Sequence, residues 1–529
     1  MLHLESWKSS QKGVYSLISL VLLTVLVVAC QRRNGGNDRK ITMEAFSDMK
    51  APVFVFDSQA LRNELLNVGA AEQPQTTADR KTHQYYVNGG ELLWIDRAGV
   101  DSRADSLLSW LHGVSDMGFS PDAFFVNGIE QDLKRMRTLD FTEQNPINRV
   151  AARLEYRLTK ACLRYAYGQR YGFINPRQVF NNLDIEKVDT VRHITRYQGL
   201  FDIDIETPGA QYDSLVRSKI ATGDIVEYLH EIQPSDAFYA QLKRMLPKAQ
   251  TEEGRQRIIC NMERSRWRQR NPMVTEGKRI VVNIPAFQLY GYGQDTVLTM
   301  RVACGAVRTK TPLLTSAMEW MEVNPQWVIP MSIIEKDVAR RAGDSAYFAR
   351  NRYQIYDKAT NKPVEISQVS QAMLLSGKYR VAQQSGADNS LGRIVFRFKN
   401  RFSVYLHYTS SPGVFKRDVR AVSHGCVRVA RPFELAHFVL DNPDEWLLDR
   451  IRISMDMQPR TERGHEYLMS HRDQKEHKLI GYVPVKPRVP LYIIYYTLWP
   501  DEHGELRTWP DVYGYDKVII NRLQTYMQP

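Results

Sequence analysis

Apolar positions in the first half of the chain recur at steps of three and four. Ile147, Val150, Leu154, Leu158, Cys162 and Tyr165 form one such stripe, which predicts a helix with Asn145 as its cap and Pro146 in its first turn. Residues 104–117 place Leu107, Leu108, Leu111 and Val114 on one side, with Gly118 as the stop. Residues 92–247 therefore read as mainly helical. Residues 41–91 read as loosely structured, with 73–81 polar and turn-rich. From Arg279 the period becomes two: 279–284, 287–292, 296–307, 394–398 and 402–407 are short runs rich in valine, isoleucine and aromatics, as a sheet requires. The change falls near residue 250. A long polar, partly helical insertion interrupts these strands up to Gly386, and an insertion of that length in a compact domain is usually a lid or binding flap. No internal repeat of fixed period is present.

The extreme N-terminus has a different pattern. Lys8 and Lys12 precede the apolar run 14–28, and Val27-Val28-Ala29-Cys30 closes it. This resembles a bacterial lipoprotein signal, in which cleavage precedes the cysteine and its thiol is acylated; the alternative is an uncleaved membrane anchor. Either reading puts the bulk of the chain outside the cytoplasm, on the periplasmic side of an envelope, with inner or outer membrane left open. Residues 31–40 are polar and glycine-containing, as in a tether. No later run approaches the ~20 apolar residues of a membrane span.

Composition adds limits. The 529 residues are 43% hydrophobic and 25% charged, which excludes a wholly disordered chain. A formal charge of +12 favours acidic surroundings such as a cell-wall polymer or an anionic lipid surface. No basic cluster interleaved with aromatics marks a nucleic-acid module. His230-Glu231 and His465-Glu466 lack a second histidine, and His465, His471 and His477 lack ligand spacing, so neither metal nor cofactor is expected. Ser47-Asp48-Met49-Lys50 matches S-x-x-K without K-T-G or S-D-N, and reads as accidental. Cys162, Cys260, Cys304 and Cys426 could form two disulfides in an oxidising compartment, yet the first three sit on apolar stripes or strands that explain them by packing. Only Cys426 has surroundings that packing does not require.

Those surroundings carry the chemistry. Residues 394–398 and 402–407 read as a hairpin whose alternation sends Tyr405 and His407 to one face. Ser423-His424-Gly425-Cys426 follows, and then Val427-Arg428. A cysteine nucleophile needs an imidazole base, a group to orient that imidazole and N–H donors for an oxyanion; His407 suits the first role, and the N–H groups of Gly425 and Cys426 suit the last. His424, beside Gly425, suits substrate or oxyanion contacts.

His407 with Ser-His-Gly-Cys-Val-Arg downstream resembles the signature of the L,D-transpeptidase (YkuD) family. Asn261 to Arg264 with Trp267, Val282 to Phe287, Lys310-Thr311-Pro312, Asn324 to Trp327, Asn389 to Arg393, and Val489 to Ile493 through Tyr513-Gly514 are similar to its long, murein-crosslinking branch. The expected fold class is then α+β: signal 1–30, tether and extension 31–91, helical scaffold domain 92–250, and a mainly β, sandwich-like catalytic domain 251–529 with a helical or loop flap at 332–386. Leu246 to Arg257 is too short for the peptidoglycan-binding module that many members carry, and several relatives have serine in place of His424.

The resemblance implies that Cys426 attacks the L-centre carbonyl of diaminopimelate in a tetrapeptide stem of peptidoglycan, expels D-alanine and passes the acyl group to a second stem's amine. Free D-amino acids or water are other acceptors. The alternatives are a YkuD-type hydrolase of stem linkages and a non-catalytic stem-binding lipoprotein. Tyr405, Ser423, Arg428 and Trp327 are candidate substrate contacts, although Arg428 could instead pair with a structural acid such as Asp418 and Trp327 could be a core residue. Cys30 is the candidate lipid anchor to the membrane, and other cell-wall enzymes are candidate partners.

Overall fold

The computed structural model describes residues 50–96, 99–189 and 194–528. The signal-like segment, with Cys30, lies outside them. No helix among the described residues is long and apolar enough to cross a membrane.

The helix read from the stripe at 147–165 runs Ile147–Tyr171 and is buried on nearly every side, so the other helices of the first half pack around it. Pro146, in extended backbone, is itself the cap, and the Asn145 side chain instead accepts from Arg153. A helix buried this deeply must satisfy its own charges. Glu155 accepts the N–H groups of Leu93 and Trp94 at 2.6 and 3.0 Å and the Tyr86 hydroxyl at 2.8 Å; Arg164 grips both oxygens of Asp79 at 2.6 and 2.7 Å. Helix Arg103–His112 runs on through a 3₁₀ turn and ends at Gly118, with φ of +84°, where the sequence placed the stop.

Residues 58–71 and 77–87 are helical, contrary to the loose extension expected for 41–91. The second of these opens on a capping box, with Thr76 accepting from the Asp79 N–H while Asp79 accepts from the Thr76 N–H. The same Asp79 anchors the helix to Arg164, so this segment belongs to the helical layer and is no tether.

The second half is built on one ten-stranded sheet, and the two together are an α+β fold. Strand Tyr482–Ile494 lies between Arg279–Asn283, parallel to it, and Leu313–Val323, antiparallel. From Arg279–Asn283 the order continues through Gln288–Tyr292, Val297–Gly305, Val427–Val429 and Leu406–His407 to Ile394–Phe398. That last strand also pairs with Leu313–Val323, so the sheet closes on itself where two facing sheets were expected. Closure removes the free edges that an open sheet would leave. The predicted hairpin keeps its first strand, but positive φ at Ser403 bends the second, leaving Leu406–His407 as strand.

The two halves interlock. Phe201–Asp202 adds to the end of the large sheet beside Leu313 and Leu314, and the C-terminal helix Tyr515–Met527 returns to the first half, where Tyr526 packs against Phe119, Phe124 and Phe173. The insertion is also more than helix and loop. Trp327–Val328, Tyr353–Asp357 and Tyr379–Gln383 form a three-stranded sheet, and Ile334, Val338, Phe348, Ile355, Leu374 and Val381 give it a separate hydrophobic core.

Candidate active site

Cys426 sits in the turn between Ala421–Ser423 and Val427–Val429, half-buried. The turn is held from several sides. Ser423 carbonyl accepts from Ala306 N–H at 2.9 Å and the Thr309 hydroxyl at 2.8 Å. The Ser423 hydroxyl, itself buried, donates to the Cys426 carbonyl at 2.6 Å and accepts the Gly425 N–H at 3.1 Å. Ser423 therefore shapes the turn, and its hydroxyl is not presented to a substrate. The Gly425 N–H is likewise occupied, which removes it as an oxyanion donor; the Cys426 N–H has no acceptor among the described residues. Gly425 has φ of +119°, while a Cβ there would meet nothing closer than 3.8 Å, so it is backbone conformation and not crowding that calls for glycine.

His407 pairs in parallel register with Arg428, which lays the histidine beside the strand that begins one residue after the nucleophile. Burial first, then the Arg428 charge, lower the imidazole to about 4; the backbone of Tyr408 and Leu391 offsets part of this. Its Nδ1 is buried without a hydrogen-bond partner among the described residues. Burial pushes the Cys426 thiol up, while the backbone N–H of Tyr405 and the charges of Arg397 and Arg428 pull it partly back. Thiol and imidazole thus feel the same two guanidiniums. Both shifts favour the uncharged form over a standing thiolate–imidazolium pair.

Arg397 escaped the sequence reading, although it lies on the polar face of 394–398. Its guanidinium stacks on Tyr405 at 4.1 Å and forks to Glu322 at 3.0 and 2.9 Å, which fixes the phenol ring. Arg428 forms no ion pair among the described residues, and its Nε is buried unpaired. Asp418, the acid considered for it, lies 3.9 Å from Arg301 instead. Among the described residues Arg428 is thus a cation without an acidic partner, and its charge is felt by the Cys426 thiol.

Trp327 is half-buried against the core of the insertion and pairs with Gln383, so it belongs to an edge strand of the flap sheet and not beneath the main sheet. The flap's two ends are pinned by Asn389, whose amide donates to the Pro325 and Gln384 carbonyls. His424, exposed, reaches Asp337 of the flap at 3.8 Å, so the flap touches the nucleophile turn. Cys162, Cys260 and Cys304 are buried free thiols, and burial pushes Cys304 up to about 12. Among the described residues no group of three or more metal-ligating side chains gathers.

The site is thus a closed sheet that carries a cysteine turn beside a buried histidine strand, with a flap reaching the turn. Residues 277–455 match the family model of the L,D-transpeptidase catalytic domain, and residues 80–246 that of the Scaffold domain. The chain belongs to the L,D-transpeptidase (YkuD) family, with a scaffold domain preceding the catalytic one. The scaffold match begins inside the helix Thr77–Val87. A Haemophilus influenzae protein named "Putative L,D-transpeptidase" is 27% identical over 308 residues, 57% of each chain. The chain thus spans a little over half the length of that relative.

Proposed function

We propose that this protein crosslinks peptidoglycan as an L,D-transpeptidase. Cys426 attacks the L-centre carbonyl of diaminopimelate in a tetrapeptide stem while its thiol proton passes to His407. The tetrahedral intermediate collapses to a thioester, and D-alanine leaves with the proton returned by the imidazole. The side-chain amine of a second stem then attacks the thioester carbonyl and gives up a proton to His407; the S–C bond breaks, the sulfur takes that proton back as the Cys426 thiol, and a third-to-third amide crosslink is left. The observation that carries this reading is a thiol and a neutral imidazole on neighbouring elements under the same two guanidiniums. A neutral imidazole is the form that accepts a proton. Arg428, unpaired, would hold a stem carboxylate, and Trp327 would wall the cleft from the flap side. His424 would steady the flap over the turn through Asp337.

Purified chain incubated with disaccharide-tetrapeptides and followed by mass spectrometry tests this. Third-to-third dimers with released D-alanine are expected. Tripeptide products without dimers would make it a hydrolase, and unchanged stems a binding protein. We further propose that Cys30 is lipidated and tethers the enzyme on the periplasmic side, beside other cell-wall enzymes; the mass of the mature N-terminal peptide tests the lipid.

A further inference from the structure

Thr311 is fully buried, and its hydroxyl is used twice: it accepts the Gly305 N–H and donates to the Gly425 carbonyl, each at 2.8 Å. The Gly425–Cys426 peptide is trans and planar, so its carbonyl and the Cys426 N–H point in opposite directions. Whatever fixes one end of that plane aims the other. Thr311 holds the carbonyl end from inside the protein, and the N–H end is the one backbone donor of the nucleophile residue that no described acceptor takes up. Thr311 is itself held by Tyr513, whose hydroxyl accepts the Thr311 N–H at 3.1 Å and donates to the Gly305 carbonyl at 2.7 Å. Tyr513 N–H in turn donates to the Tyr495 hydroxyl, which donates to Asp511. A chain of buried hydrogen bonds therefore runs from the C-terminal segment to the peptide of the nucleophile.

We infer that Thr311 is a positioning residue for the oxyanion site: by anchoring and polarising the Gly425–Cys426 peptide it aims the Cys426 N–H at the oxygen that becomes negative when sulfur attacks. In that step the S–C bond forms, the carbonyl π pair moves to oxygen, and the thiol proton goes to His407. A donor already aimed needs no reorganisation as the charge develops, and a hydrogen bond to the carbonyl of a peptide strengthens its N–H as a donor. Ser423 adds to the same aim by closing the turn around Gly425, and the glycine's positive φ lets the plane adopt this orientation. The inference rests on the acyl-transfer reading only in taking Cys426 as nucleophile.

Two reagents separate this role from a general structural one. Iodoacetamide alkylates the thiolate by displacement and forms no oxyanion, whereas p-nitrophenyl acetate acylates it through one. In the full chain, Thr311→Val should lower acylation of Cys426 roughly 10- to 100-fold while alkylation changes little, since loss of a whole oxyanion donor costs ~10²–10³. Thr311→Ser, which keeps the hydroxyl, should restore the ratio. Tyr513→Phe should lower it in the same direction by a smaller factor, and decides the matter if Thr311→Val does not fold. An unchanged ratio of acylation to alkylation, or both rates falling together, overturns the inference. Because p-nitrophenyl acetate is no stem peptide, failure of the crosslinking reading shows separately, as wild-type chain acylated by the ester but inert toward tetrapeptides.

Discussion

Burial drives the Cys426 thiol and the His407 imidazole in opposite directions, which favours the neutral form of each. The pH dependence follows. A histidine lowered to about 4 remains an unprotonated base as pH falls through its ordinary 6.5. Acylation measured as kcat/KM should therefore hold down to about pH 5 and fail near 4; an acid limb at 6 to 7 would show that His407 is not so perturbed. Between those values the unfolded chain binds the proton and the folded chain does not. The stability this histidine contributes is full above 6.5 and is lost as pH falls toward 4. His407→Ala is expected to cost ~10²–10⁴-fold in acylation, and more than Tyr405→Phe, since the Tyr405 ring is fixed by Arg397 and the part of Tyr405 that reaches the sulfur is its backbone N–H. Carbapenem labelling should yield one adduct, on Cys426, with Cys162, Cys260 and Cys304 silent because their burial disfavours the thiolate. Cys426 and His407 could be singled out in the sequence because a tripeptide and a strand alternation mark them. The jobs of Ser423 and Gly425 could not, because they depend on which hydrogen bonds the turn has already used.

The elements hidden from sequence reading share a cause, which is local interruption of period. In Leu313–Val323 the register against Ile394–Phe398 skips Glu319, so Met318 and Met321 both turn inward and a strand acquires a spacing of three. Tyr482–Ile494 carries Pro484, Pro487 and Pro490, which argue against a central strand; its ladder breaks between Pro484 and Val489. The helix Thr77–Val87 has few apolar positions, and its capping box was the overlooked signal. The flap could be recognised as an insertion but its sheet and core could not, since the pairing joins Trp327 to Gln383 across more than fifty residues. A separate core implies separate melting. Ile355→Ala, removing a fully buried side chain from it, should cost the flap ~2–5 kcal/mol. Hydrogen exchange should then accelerate across 327–386 while Tyr482–Ile494 stays protected; equal acceleration in both would mean that flap and sheet form one cooperative unit. Trp327→Ala should leave the main melting temperature little changed and lower crosslinking, because its contacts are with the flap.

Across the whole molecule, the scaffold is part of the catalytic fold. It supplies the strand Phe201–Asp202, receives the C-terminal helix around Tyr526, and places Asp184 2.6 Å from the nearly buried Lys310, next to Thr311. Deleting residues up to 202 should therefore leave a chain that fails to fold, and in the full-length protein the helix Ile147–Tyr171 and the strand Tyr482–Ile494 should lose hydrogen-exchange protection at the same denaturant concentration. A fragment of 203–529 that unfolds cooperatively would contradict this interlock. The family signature could be read along the sequence from 260 to 430, whereas the interlock joins residues hundreds of positions apart and leaves no local pattern. The proposed nucleophile is Cys426, and the most direct test is the mass of the intact chain during reaction with a tetrapeptide stem. A transient adduct equal to the stem less D-alanine, located on Cys426 and absent in Cys426→Ala, is predicted. Turnover of the stem by Cys426→Ala, or an adduct on another residue, would contradict it.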